Sequence, residues 1–280
     1  MEKLIKDVFE GASENAGTLI NTNLTYIADD GLRHCRKCNK PLEKILHFKS
    51  PILIAADMDG MKVNCICNCI EEERKKIREE LKRIEQSNDI ERQRRLCFKS
   101  ESMHRMVFAI DDDLTSEASK MSRRWVQNYD RNLQSGKPIS WLFFYGGTGV
   151  GKTFYAACIA NAMIEKGKKV KMTTGSEIEQ DVFNAEDKAD IYKRYASYDV
   201  LILDDLAAER KSDYMYEILY NIINDRYLAK KPMIITTNMT TSETGNPKDK
   251  RLERIMSRIY AYGYPIEVSG KDRRKQGAWK

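Results

Sequence analysis

Short apolar runs alternate with longer amphipathic stretches in the second half of the chain. Five runs rich in β-branched and aromatic residues predict strands, at 141–145 (WLFFY), 169–174 (KVKMTT), 200–206 (VLILDDL), 232–238 (PMIITTN) and 265–270 (PIEVSG). Stretches with helical character separate them, at 152–166, as a polar pair within 176–197, at 213–229 and at 249–261. Because strands that alternate with helices pair in parallel, this half predicts an α/β fold with a parallel five-stranded sheet covered on both faces.

The first part of the chain has a different pattern. Residues 1–30 are polar, apart from an amphipathic piece in which one helical face carries Leu4, Ile5, Val8 and Phe9. Charged residues dominate from 70 to 95, where a narrow apolar stripe recurs at Ile70, Ile77, Leu81 and Ile84. This segment predicts a solvated helix. We favour a connecting arm over a partner-binding or coiled-coil helix, although one helix can serve both purposes.

Charge and composition narrow the class of protein. The 280 residues are 32% charged with a net charge of +6, and the segment from Lys248 to the end has a surplus of Lys and Arg equal to that net charge. A basic C-terminal region favours an anionic partner such as nucleic acid. No run reaches the roughly 20 apolar residues of a membrane span, and the first residues do not resemble a secretory signal. We therefore expect a cytoplasmic protein without a membrane partner, in which cysteines stay reduced.

The segment between the strand at 141–145 and the next helix contains a complete phosphate-binding loop. Its sequence GGTGVGKT comprises Gly146, Gly147, Thr148, Gly149, Val150, Gly151, Lys152 and Thr153. The glycines allow a tight turn and a close approach of backbone N–H groups to phosphate oxygens. Lys152 is expected to reach the β- and γ-phosphates of ATP, and the Thr153 hydroxyl is expected to bind Mg²⁺.

Polar side chains follow two later strands. Asp204 and Asp205 end the run VLILDD, and Asn238 ends the run PMIITTN. We expect Asp204 to hold Mg²⁺ through water and Asp205 to orient or deprotonate the attacking water. Asn238 is placed to help hold the same water. The extra strand between the loop helix and the acidic strand marks the hydrolytic branch of P-loop proteins.

Residues 137–280 resemble the AAA+ domain of bacterial and phage helicase loaders of the DnaC and DnaI type, which is shared with IstB-type transposition ATPases. The resemblance lies in GGTGVGKT, LILDDLAAER, IITTN, ERIMSRI and SGKDRR, in the family order. One departure is Ala207, where the family often has Gly. The resemblance implies an ATPase that self-associates through ATP-dependent contacts, with Asn238 as its sensor 1.

The resemblance also implies two roles for arginines. One arginine of the ERIMSRI segment acts in trans on the γ-phosphate held by a neighbouring subunit, and Arg258 is our first choice, with Arg254 as the second. Arg274 matches the sensor 2-like arginine of a G-x-S-x-R pattern. The usual Ser of that pattern is Asp272 here, which weakens this assignment.

Five of the seven cysteines lie between residues 34 and 70, in the pairings Cys35-x-x-Cys38 and Cys65-x-Cys67-x-Cys69. Zn²⁺ prefers four tetrahedral sulfur or nitrogen ligands, so the two clusters predict a structural zinc site resembling a zinc ribbon. The family resemblance favours Cys67 and Cys69 beside the first pair. Cys65 remains an alternative fourth ligand, and His34 and His47 are weaker ones. Cys97 and Cys158 are expected to be packing residues.

These features predict three parts: a zinc-binding, helicase-interacting domain at 1–70, a helical linker at 71–110 and an AAA+ domain at 111–280. The resemblance implies a loader that places a hexameric DnaB-type replicative helicase on single-stranded DNA, in the bacterial cytoplasm even if the chain is phage-encoded. Two alternatives stay open. One is an IstB-like ATPase that binds duplex DNA and regulates a transposase, and the other is a zinc-dependent adaptor with a vestigial ATPase.

Overall fold

The computed structural model describes residues 25–47, 60–206 and 213–273. The chain forms two compact units, Met1–Gln86 and Ser87–Lys280, and the division falls inside a long helix. The predicted amphipathic face at Leu4 to Phe9 lies outside the described residues, as do Ala207 and Arg274. No helix in the described ranges is long and apolar enough to cross a membrane.

The first unit is built from two small antiparallel ribbons and the start of helix α1. Its elements are β1 (Thr25–Ile27), β2 (Arg33–Cys35), β3 (Glu43–Leu46), β4 (Met61–Asn64) and α1 (Asn68–Cys97). Strand β1 pairs with β2, and β3 pairs with β4. The described core of this unit is small, since its buried apolar residues are Cys35, Leu42, Cys67 and Ile70. Such a core cannot supply much folding energy by itself.

The second unit contains the remaining elements. They are two short 3₁₀ helices (Glu101–Arg105 and Phe108–Ile110), α2 (Glu117–Gln134), β5 (Trp141–Tyr145), α3 (Lys152–Glu165), β6 (Val170–Thr174), α4 (Gly175–Phe183), α5 (Lys188–Ser197), β7 (Val200–Asp204), α6 (Asp213–Leu228), β8 (Met233–Thr237), α7 (Thr241–Gly245), α8 (Lys250–Tyr262) and β9 (Gly263–Glu267).

The five strands of this unit form one parallel sheet in the order β6-β7-β8-β5-β9. Every residue of β7 and β8 is buried, which explains why these strands read as continuous apolar runs in the sequence. Core residues pack on both faces of the sheet. The predicted α/β fold with a parallel five-stranded sheet is therefore confirmed, and the carboxyl ends of β5, β7 and β8 lie side by side.

The last strand differs from its predicted bounds. Strand β9 begins at Gly263, two residues before the predicted start, directly after α8 ends at Tyr262. The N–H of Gly263 still bonds to the Ile259 carbonyl, and a Cβ at this position would overlap that oxygen. Glycine therefore lets the chain pass from helix to strand without a connecting loop.

The two isolated cysteines have the predicted packing role. Cys97, at the end of α1, and Cys158, inside α3, are both fully buried in the core that includes the sheet. Burial raises the pKa of the Cys97 thiol to about 12 and raises that of Cys158 as well. Both thiols are therefore protonated and unreactive at neutral pH.

A buried arginine of α6 bonds to the segments that lead into β7 and β8. The side chain of Arg226 is fully buried, and its guanidinium donates to the backbone carbonyls of Tyr195, Tyr198, Asp199 and Pro232 at 2.7–3.4 Å. Burial lowers its pKa to about 10, so the group stays charged at neutral pH. These carbonyls lie just before β7 and β8, so one side chain fixes the entry of both strands.

We expect Arg226→Met to destabilise the second unit by about 3 kcal/mol or more, because each buried carbonyl left without a donor costs roughly 1–3 kcal/mol. Urea unfolding of the full chain, followed by the fluorescence of Trp125 and Trp141 in this unit, measures the loss. Lys193→Ala is the matched control, because Lys193 is exposed and its ion pair is with the exposed Asp190. Equal stability of both variants would contradict the assigned role.

Candidate functional site

In the loop between β5 and α3, three glycines have the positive φ angles that the sequence pattern predicts. Gly146, Gly149 and Gly151 have φ angles of 137°, 78° and 109°, a region that side chains disfavour. A Cβ at Gly146 would also overlap the Val268 carbonyl, so glycine is required there. Gly147 and Thr148 are exposed at the tip, whereas Val150 is buried in the core. The loop thus presents its backbone outward at the N-terminus of α3.

Lys152 is buried at the base of this loop. Its ammonium group donates to the carbonyl oxygens of Gly146 (3.0 Å) and Gly147 (2.6 Å) and to Oδ1 of Asn238 (2.7 Å). The contact with Asn238 joins the loop to the end of β8, as expected if both residues serve one site. The ammonium group therefore lies at the base of the loop, where phosphate oxygens can accept hydrogen bonds from it.

Asp204 lies at the end of β7, next to the start of α3. The Thr153 hydroxyl donates to its two carboxylate oxygens at 3.1 and 3.2 Å, and the Thr236 hydroxyl donates to Oδ1 at 2.6 Å. Burial and the nearby charge of Asp205 raise the pKa of Asp204, while these hydrogen bonds and the charge of Lys152 oppose the rise. The structure thus brings together the carboxylate and the hydroxyl that were expected to share a magnesium ion. Oxygen donors of this kind suit Mg²⁺.

Asp205 is held in an uncommon conformation beside Asp204. Its φ angle is 56°, in the left-handed region, and its N–H donates to Oγ1 of Thr236 at 2.9 Å. Nδ2 of Asn238 donates to its carboxylate at 2.9 Å. Strain of this kind persists only where the surroundings hold it, and it is frequent at functional sites. Asp205 and Asn238 therefore form one hydrogen-bonded pair facing the loop lysine.

Thr236 is a site residue that the sequence reasoning missed. Its hydroxyl bonds both the carboxylate of Asp204 and the backbone of Asp205, so it fixes the two acids relative to each other. Threonine is common in β-strands, so its presence in an apolar strand does not by itself indicate a functional residue. The available signal was its position two residues before Asn238 on the strand next to the acidic one, because alternate residues of a strand share a face.

The segment after β9 contacts the phosphate-binding loop through Arg273, the residue before the predicted Arg274. The N–H of Arg273 donates to the Gly149 carbonyl (3.0 Å), and its guanidinium bonds to Asp112 (2.6 Å). Asp272 contacts Gly149 as well. The role predicted for Arg274 remains a prediction, and the structure adds Arg273 as a residue beside the nucleotide loop.

Arg254 and Arg258 do not lie among these groups. Both are on α8, where their guanidinium groups rest over the rings of Tyr220 and Tyr227 of α6. Arg254 is exposed and Arg258 is half-buried. Their assignment as residues that act on a neighbouring subunit stays a prediction.

In the first unit, the thiols of Cys35, Cys38, Cys67 and Cys69 lie within 4.8 Å of one another. The thiol of Cys65 is not a member of this group. The backbone N–H of Cys65 donates to the Leu42 carbonyl. Both ring nitrogens of His34 are engaged, by Asp30 at 2.9 Å and by the Asn39 carbonyl at 3.2 Å. Four sulfurs at this spacing fit the tetrahedral donor set of Zn²⁺, which would be a structural ion here.

The surroundings of the Cys35 thiol favour its deprotonated form. Burial raises its pKa, but hydrogen bonds from the N–H groups of Cys38 and Lys37 and from neighbouring thiols outweigh burial and lower the pKa to about 7. Thiolates bind metals, so this environment favours the ligand form near neutral pH.

The sheet order, the loop between β5 and α3, and the acids and amide at the ends of β7 and β8 together define a P-loop protein of the AAA+ class. The family model for IstB-like ATP binding proteins matches residues 78–279. That match covers well over half of the chain, and the chain therefore belongs to the family of IstB-like ATP binding proteins.

Curated relatives match about half of the chain. The chain is 29% identical over 149 residues to the replicative helicase loader DnaI of Bacillus subtilis, covering 48% of this chain and 47% of that protein. It is 28% identical over 148 residues to the replicative helicase loader DnaC of Escherichia coli K12, covering 51% and 56%. The chromosomal replication initiator protein DnaA of Campylobacter concisus is 31% identical over 134 residues, covering 46% and 30%.

A crystal structure of DnaI has a TM-score of 0.53 and 25% identity to this chain, covering 65% of this chain and 100% of that chain. The chain spans only about half the length of the helicase loaders it matches. The comparisons confirm the resemblance to helicase loaders, the AAA+ fold and the expectation of an ATP-binding protein.

We expect Thr236→Val to lower nucleotide hydrolysis about tenfold to 100-fold, the usual effect of losing a group that orients a metal ligand. Valine has the same shape but leaves the Asp204 carboxylate and the Asp205 N–H without this partner. Thr236→Ser keeps the hydroxyl and is the matched control. Steady-state hydrolysis and the melting temperature are measured together, and native activity in Thr236→Val would refute the role.

We expect the purified chain to hold one zinc ion per molecule. Cys67→Ser should lose the zinc, because it removes one of the four clustered thiols, whereas Cys65→Ser should retain it. Zinc content by mass spectrometry separates the two variants. Chelation should unfold the first unit without abolishing nucleotide binding by the second. Loss of zinc from Cys65→Ser alone would overturn this choice of ligands.

Proposed function

We propose that this chain is an ATP-hydrolysing loader that places a hexameric replicative helicase of the DnaB type on single-stranded DNA. The observation that carries the proposal is the complete set of nucleotide groups at the ends of β5, β7 and β8, in a chain similar to DnaI and DnaC. An adaptor with a vestigial ATPase would not need to keep the hydrogen-bonded groups Lys152–Asn238–Asp205 and Thr153–Asp204 together.

Each group of the site has a role in hydrolysis under this proposal. Lys152 would donate to phosphate oxygens. Thr153 and, through water, Asp204 would hold Mg²⁺, which would neutralise charge on the phosphates. Asp205 and Asn238 orient the attacking water. Such a site mainly positions reactants and stabilises charge, so its fixed hydrogen bonds matter more than any single reactive group.

The site is completed in trans under the same proposal. Arg258, with Arg254 as the second choice, neutralises charge on the γ-phosphate held by a neighbouring subunit. Assembly through ATP then arranges the subunits, and hydrolysis releases the complex. Residues 1–70, with their zinc site, are the part that binds the helicase, and 71–110 connect them to the ATPase. The basic C-terminal region supports contact with the phosphates of single-stranded DNA.

The second candidate is an ATPase that binds duplex DNA and regulates a transposase. The match to the IstB-like family model favours it. The clustered cysteines of the first unit favour the loader, because the loader resemblance includes an N-terminal zinc module.

A binding experiment distinguishes these functions. We expect the native chain to form an ATP-dependent complex with a DnaB-type helicase and to prefer single-stranded over duplex DNA. Lys152→Ala should lose the ATP dependence, and Asp204→Ala should bind nucleotide without hydrolysing it. Size-exclusion chromatography and fluorescence anisotropy with both DNA forms measure the outcome. Tight duplex binding without helicase binding would favour the transposase regulator instead.

A further inference from the structure

Three arginines of α8 have very different partners. Arg251 forms ion pairs with Asp249, at 2.7 Å, and with Asp213, and its guanidinium also lies over the ring of Tyr216. Its charge is therefore neutralised within the chain. Arg251 is therefore the reference case on this helix, an arginine that is paired with carboxylates of its own chain.

Arg254 and Arg258 have uncharged partners. The guanidinium of Arg254 lies 4.5 Å from the ring centre of Tyr220, and that of Arg258 lies 5.0 Å from the ring centre of Tyr227. Nε of Arg258 also donates to Oδ1 of Asn224 at 3.2 Å. Among the residues that the structure describes, no carboxylate oxygen lies within 4.0 Å of a guanidinium nitrogen of either arginine.

Ring faces and an amide restrain a guanidinium without cancelling its charge. The attraction of a cation to an aromatic face is electrostatic but involves no counter-ion, and an amide oxygen carries only a partial charge. A flexible arginine otherwise loses considerable side-chain entropy when it is fixed. The contacts from α6 therefore supply this order in advance, while both charges stay available to an external anion.

The two arginines line an open cleft of about 380 Å³ between α6 and α8. Three of its lining residues are cations and one is a carboxylate; the lining comprises Tyr220, Lys250, Glu253, Arg254, Ser257 and Arg258. Lys250, Arg254 and Arg258 are spaced four residues apart, so they follow one another along one side of α8. The hydrogen bond with Arg254 lowers the pKa of Tyr220, as expected for a phenol that faces positive charge. The cleft suits an anionic group.

We propose that Tyr220, Asn224 and Tyr227 are positioning residues that hold Arg254 and Arg258 ready for the phosphates of a nucleotide bound to a second copy of this chain. The inference rests on the proposed function, which has one of these arginines act in trans. It adds that the arginines form a preordered pair, and that the uncharged character of their supports is essential. Replacing a support by a carboxylate would neutralise the site from within.

The test is Asn224→Asp in the full-length chain, a nearly isosteric change that puts a carboxylate beside Nε of Arg258. We expect ATP turnover of the assembled protein to fall about tenfold to 100-fold, the scale of misplacing one catalytic contact. The dissociation constant for a fluorescent ATP analogue should be unchanged, because the variant's own nucleotide loop is intact. Asn132→Asp makes the same change of charge on α2 and should keep native turnover.

Mixing variants shows which subunit is impaired. Lys152→Ala cannot use its own nucleotide but offers an intact cleft, so adding it to Asn224→Asp should restore turnover. Adding the double variant Lys152→Ala, Asn224→Asp should not. Tyr220→Ala should lower turnover, because it removes the ring face under Arg254. Melting temperatures, measured alongside, identify any variant that does not fold.

Arg258→Ala separates this inference from the proposed function. If Arg258→Ala is inactive and is rescued by Lys152→Ala while Asn224→Asp keeps native turnover, the positioning role is wrong and the arginine's role in trans stands. If Arg258→Ala itself keeps native turnover, that role fails too. Weaker binding of single-stranded DNA by Asn224→Asp at native turnover would also overturn the inference, in favour of a cleft for DNA phosphates.

Discussion

The buried carboxylate of Asp204 is the group on which the nucleotide site depends. A carboxylate at this depth is unfavourable unless hydrogen-bond donors surround it, and burial accordingly raises its pKa. Thr236 and Thr153 supply the donors from β8 and α3, so one acid connects three elements. Asn238 extends the same network to Lys152 and Asp205. These hydrogen bonds fix the position of the two acids relative to the phosphate loop.

The arginines of the second unit illustrate how partners determine role. Arg226 is buried and donates to four backbone carbonyls, which makes it part of the architecture. Arg251 is neutralised by aspartates. Arg254 and Arg258 rest on tyrosine rings, and no carboxylate among the described residues forms an ion pair with them. The same guanidinium group therefore occurs here in three environments: buried among carbonyls, paired with carboxylates, and stacked on aromatic rings.

The first unit has a different physical basis. Its ribbons are short, and its small described core includes two of the four clustered cysteines. An ion held by these thiols would supply much of the stability of such a unit, whereas the second unit is stabilised by a large core on both faces of its sheet. We therefore expect chelation to destabilise the first unit, and cavities or unsatisfied polar groups to destabilise the second.

Local pattern determined much of this protein. The alternation of apolar runs and helices, the glycines of Gly146–Thr153 and the acids after β7 follow from short-range rules, so the sheet, the loop and the residues Lys152, Asp204 and Asn238 were predictable. Spacing alone left five cysteines as candidates, with Cys67 and Cys69 favoured over Cys65 only by the family resemblance, and the sequence missed Thr236 and Arg273. Those choices depend on which strands become neighbours and on how the segment after β9 returns to the loop. Only the tertiary structure decides them, because contacts between residues far apart in the chain leave no periodic trace in the sequence.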